Sequence, residues 1–337
     1  MAVTLSRKKR GVPRSKCAEY RAGGGQLIFR NDSIEQILDA ACQNLKEGAF
    51  ADAVEALERV LEMDMEYPGA ASALKCAAFW NERLDRDRLP ADGFERGEML
   101  LAQWRLFIAF AERLADVPEA IQFAIKHHVF TTALACYLGA GADADPPDAG
   151  ILLQLGRCCK GAGNYEKAVE HLERANEVRR EDARILAELA DCYSLVNESR
   201  AAKVFFREAF FIDAQAIDVP ALESPLIGRV AAKLRGMGIS GPSLNEWIPV
   251  YGAIWGVFSV RRELKPLELG KLKQAIHQLE KEPGTVAERE LTVPRLINRY
   301  FWLIDHYLAS GEERERVDEV LLKIRDLDER VHREYTT

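Results

Sequence analysis

The sequence predicts an all-α protein: a superhelix of stacked helix pairs, an α-solenoid, with an additional helical region at its C-terminal end. Three observations predict it. One pattern of residues is written twice within 149–216, at a spacing of 34. Apolar residues elsewhere recur three and four apart, the period of a helix with one buried face. No stretch shows the alternation of period two that a half-buried strand needs.

The first copy reads Leu152, Leu155, Gly156, Cys159, Gly163, Tyr165, Ala168, Leu172 and Ala175, and the second Leu186, Leu189, Ala190, Tyr193, Asn197, Ser199, Ala202, Phe206 and Ala209. Large apolar positions stay apolar and small positions stay small. Two antiparallel helices that cannot bury their apolar stripes alone must stack on neighbours. Ala168 and Ala202 are expected where the paired helices cross, since bulk there would push the axes apart. Gly163 and Asn197 are expected at the turn, where the backbone takes a positive φ. This stretch, with Gly163-Asn164-Tyr165-Glu166-Lys167-Ala168 at its centre, resembles the tetratricopeptide repeat.

The elements are expected in this order. Residues 1–30 hold eight basic side chains against Glu19, a balance of +7 out of a total of −7, so the rest of the chain carries −14. With Gly23-Gly24-Gly25 and few apolar residues, they read as a basic flexible tail. Asn31-Asp32-Ser33 offers helix caps, and Gly48-Ala49-Phe50-Ala51-Asp52-Ala53 imitates the turn and crossing of a first repeat over 34–67. Pro68 opens another helix, 85–96 reads as a loop, and 98–115 is apolar enough to be buried on two sides. A further repeat is expected from about Leu114, with Val117 to Ala124 in its first helix and Phe130 to Ala140 in its second. The array is thus expected over 31–216. The region 217–337 begins at Pro220 and Pro225, has its most apolar helix over 247–264 and an amphipathic one over 266–281. It ends in a repeat-like pair whose last helix carries Val317, Val320, Leu321, Ile324, Leu327 and Val331 on one face. A polar outer face is what a terminal cap requires.

Composition bounds the function. At 48% hydrophobic and 29% charged, the chain is ordinary for a folded soluble protein. There is no signal-peptide pattern, and the longest apolar run, 247–260, is shorter than a membrane span and contains Pro249. Seven cysteines without framework spacing point to a reducing, cytoplasmic location. The acidic body argues against DNA binding. No catalytic, metal or cofactor residues are expected. Gly161-x-Gly163 lacks the rest of a phosphate-cradling loop, His127 and His128 are adjacent and diverge, and Asp305-His306 diverges likewise.

The resemblance implies a concave groove lined by the first helix of each unit, at Gly150, Leu153, Arg157 and Lys160 and at Arg184, Ala187, Asp191 and Ser194. Arg157, Lys160 and Arg184 would form a basic spot there, with Leu153 and Asp191 beside it. Such a spot suits an acidic protein or peptide through charge-assisted hydrogen bonds. Leu153 and Arg157 replace the Lys and Asn of the family's carboxylate clamp, so chaperone-tail recognition is not implied. The expected function is an interaction adaptor that holds a partner by shape and charge. A second reading makes it a membrane- or nucleic-acid-associated factor using the basic tail and the aromatic helix 247–262. In that reading Trp247, Tyr251 and Trp255 form a docking surface, against their simpler role as core.

Overall fold

The computed structural model describes residues 24–84, 89–139, 147–259, 263–281 and 285–337, leaving aside the side chains of 24–32, 286 and 287. Among these residues every regular element is helical. The first half comprises α1 (Gly24–Glu47), α2 (Phe50–Met63), α3 (Ala70–Arg83), α4 (Gly93–Ala111) and α5 (Glu119–Gly139). Then come α6 (Ala149–Gly161), α7 (Tyr165–Val178), α8 (Ala183–Leu195) and α9 (Ser199–Asp213). Two short 3₁₀ turns, Ala214–Ala216 and Val219–Ala221, lead to α10 (Pro225–Gly236) and α11 (Gly241–Ile254). The chain closes with α12 (Pro266–Lys281), α13 (Val286–Ser310), α14 (Arg314–Leu327) and α15 (Glu329–Thr336).

The two repeats fold as their residues dictate. Asp148 and Asp182 occupy equivalent positions and accept from the first backbone N–H groups of α6 and α8. Gly163 and Asn197 take φ of +85° and +66° at the two turns, and Ala168 and Ala202 are fully buried at the crossings. Gly156 permits the closest approach, because a Cβ there would lie 2.5 Å from Leu172 Cγ. The first pair has the same turn, with Gly48 at φ +82° between α1 and α2.

Four expectations are corrected. Helix α1 begins at Gly24, inside the stretch read as tail, because nothing between 26 and 33 breaks a helix and Asn31-Asp32-Ser33 lies within it. The helix pair expected from Leu114 is the single helix α5: residues 124–130 contain no turn former, and Ile125 and Val129 are fully buried. Helix α5 packs against α1, α4 and α6 along its length. The apolar helix expected over 247–264 ends at Ile254, where Gly256 takes φ +71° and Phe258 N donates to Gly252 O at 2.9 Å. Gly252 accordingly faces the Phe258 ring, 2.5 Å from where its Cβ would stand. The final helix is split at Asp328, which caps α15 through Val331 N.

Two hydrophobic cores meet in α8. Its Ile185, Leu189 and Cys192 close the core built from α1–α7, while Ala183, Leu186, Ala187 and Ala190 open the core that runs on through α15. Helix α8 is therefore buried on both sides along most of its length, and its Glu188 and Asp191 are shut away from bulk water, while Arg184 at its start is exposed.

Candidate functional site

The inner faces of α6 and α8 meet through charge. Lys160 Nζ lies 2.6 Å from Glu188 Oε2 and 2.7 Å from Asp191 Oδ2, and Arg157 Nε lies 2.8 Å from Glu188 Oε1. Lys160, Glu188 and Asp191 are buried. The network continues toward α4 and α5: Gln154 Nε2 and Tyr137 Oη both donate to Glu98 Oε1, at 2.7 and 2.6 Å.

It also holds the connection between α9 and α10. Residues 217–224 fold back across the first helices as a strap. Lys160 Nζ donates to Ala221 O at 3.1 Å, and Asp191 accepts from Glu223 N and Ser224 N at 3.0 and 2.7 Å. Ser224 Oγ donates to Ser194 Oγ at 2.7 Å. At its outer edge the strap makes two half-exposed bridges, Asp218 to Arg105 at 3.2 Å and Glu223 to Lys126 at 2.7 Å. Such exposed bridges are worth about 0–1 kcal/mol each. Removing one partner of a buried pair costs about 3–5 kcal/mol, because it strands the other charge.

The electrostatics follow from the packing. Burial would depress the Lys160 ammonium, but Glu188 and Asp191 outweigh it and hold its pKa above the ordinary lysine value. Burial would raise Glu188, yet Lys160 and Arg157 hold it low. At Asp191 burial prevails and pushes the carboxyl up.

The residues expected to line the groove divide accordingly. Arg157, Lys160 and Asp191 come together; Leu153 is buried in the core; Arg184 is half-exposed and turns back onto its own cap, Asp182, at 2.8 Å. No shared basic spot forms, because Glu188 and Asp191 neutralise Arg157 and Lys160 within the protein. Trp247, Tyr251 and Trp255 pack in succession with tilted rings, centroids 5.7 and 4.9 Å apart, with Tyr251 buried and the two indoles half-buried. Lys233 lies 3.8 Å over the Trp255 ring. The basic residues of 1–23, with Arg261 and Arg262, lie outside the described residues.

Beside the network opens a cleft of about 420 Å³, walled by α4, α5, α6, α8 and the strap. Leu101, Trp104, Ile108, Phe123 and Phe130 make its apolar surface. Trp104 and Phe130 meet edge to face at 5.3 Å. Phe123 is 57% exposed at the mouth, stacked on His127 and covered on one side by Lys46, 5.6 Å from the ring centroid. Sequence reasoning missed this wall and Glu98, since α4 and α5 lie outside the repeat pattern. The broad apolar face of α4 was the available signal.

Other candidate chemistry disperses. Asp305 pairs with buried Arg207, while His306 Nδ1 accepts from Leu264 N at 3.1 Å. His128 Nδ1 lies 3.2 Å from Lys46 O. Among the described residues no three His, Cys, Asp or Glu side chains gather as around a metal ion, and no helix is long and apolar enough to cross a membrane.

Stacked helix pairs enclosing an inner cleft define a helical-repeat protein. A family model described as Tetratricopeptide repeat matches residues 149–182, from the start of α6 through α7 to the cap of α8, so the chain contains a tetratricopeptide repeat. A search of curated proteins found no match.

Proposed function

We propose that the protein is an interaction adaptor that holds a segment of a partner protein in the cleft between α4, α5 and the strap. Tetratricopeptide repeats suggest a protein-binding role. The observation that carries the finer reading is the cleft itself. Its wall is mainly apolar, it opens at the strongly exposed ring of Phe123, and its rim is charged. An apolar floor with a polar rim is the anatomy of a peptide-binding surface. Binding works through shape and charge, with no bond chemistry, and the reducing cytoplasm suits the free cysteines. A photo-cross-linking residue placed at Phe123 in the full chain tests this. It should capture a discrete partner that the same residue at exposed Leu322, on α14, does not. Equal capture from both positions would contradict the assignment.

A further inference from the structure

The strap shows what the cleft's rim recognises, and this inference rests on the reading just given. Two acidic side chains, Asp218 and Glu223, flank the apolar residues Val219, Pro220, Ala221 and Leu222, and the acids sit on Arg105 and Lys126. Without the strap's two carboxylates, α1, α4 and α5 present Lys46, Arg105 and Lys126 at the mouth against Glu119. That charge favours an acidic occupant.

The strap has two kinds of hold. Its backbone is fixed by the buried Asp191 and Lys160, whereas its carboxylates make half-exposed bridges. Asp218 and Glu223 can therefore swing away while the backbone stays in place. We propose that the cleft takes a partner segment in which an apolar residue is flanked by a carboxylate. The apolar residue packs on Trp104, Ile108 and Phe123, and the carboxylate takes Arg105 or Lys126 from the strap. The strap acids are then internal competitors that lower affinity for any such segment.

The probe is a fluorescein-labelled synthetic peptide copying residues 216–225, titrated against the full chain by fluorescence anisotropy. Its control has Asn and Gln in place of the Asp and Glu. The acidic peptide should bind at least tenfold tighter than its amide control. Asp218→Asn with Glu223→Gln should tighten binding of the acidic peptide at least tenfold over wild type, because both cations are released. Arg105→Gln with Lys126→Gln should abolish the preference for the acidic peptide. These rim positions are at least part-exposed, and melting curves check the fold; if either double variant fails to fold, the two peptides on wild type still decide. Equal binding of the two peptides, no binding of either, or no gain on releasing the cations would overturn the proposal. Cross-linking from Phe123 separates the two readings. A captured partner with no charge preference leaves the cleft assignment standing and removes its acidic ligand, whereas loss of both removes the cleft.

Discussion

Lys160 and Asp191 stand at inner positions of successive repeats, 2.7 Å apart and out of contact with bulk water. Their pairing joins α6 to α8 and fastens the strap to both. Lys160→Met should cost about 3–5 kcal/mol in chemical denaturation, since it leaves Asp191 buried without its cation, whereas Asp191→Asn should cost less because Lys160 keeps Glu188. Arg184→Glu, at a half-exposed helix start, should by comparison change stability by about 0.5 kcal/mol.

The repeat geometry predicts a second set of losses. Ala168→Trp or Ala202→Trp places an indole at a fully buried helix crossing and should cost about 1–3 kcal/mol or more. Gly163→Val forces a β-branched residue into φ +85° and should cost about 1–2 kcal/mol. Thermal melts check all three variants.

Acid should weaken the same junction. Lys160 and Arg157 hold Glu188 below the ordinary value of 4.5, although burial opposes them. A depressed folded value gives stability that is complete above 4.5 and is lost as pH falls through the folded value. Asp191, pushed above its ordinary 3.8, has the opposite sign: its contribution is lost as pH rises. The Glu188 contribution to melting temperature should therefore be lost below about pH 4.5, with Asp191 opposing it, and melting temperature should fall less steeply with acid in Glu188→Gln than in wild type.

Gly252→Ala tests the end of α11. A Cβ there would come within 2.5 Å of the Phe258 ring, so the turn must open or the ring move. A loss of about 1–3 kcal/mol is expected in urea denaturation. Gly228→Ala, with open space around its Cβ, should be neutral or slightly stabilising.

What could be read from the sequence follows from locality. Gly163, Asn197, Ala168 and Ala202 announce turns and crossings through their own backbone and size, so α6–α9 were legible. Helix α5 was not, because its apolar residues imitate a repeat while nothing between them stops the helix. Arg157, Lys160 and Asp191 were legible as inner positions, but their mutual neutralisation was not. Glu188 and Asp191 look like solvated helix charges until α8 is seen buried on both sides. The strap was hidden for the same reason: its contacts join residues about thirty to a hundred positions apart, with no local signature.

Hydrogen–deuterium exchange on the full chain, with and without the partner captured through Phe123, tests the central claim most directly. The account predicts slowed exchange in 98–130 and 217–224, the two sides of the cleft, with α12 to α15 unchanged. Protection confined to α12–α15, or to the aromatic stretch 247–258, would contradict it.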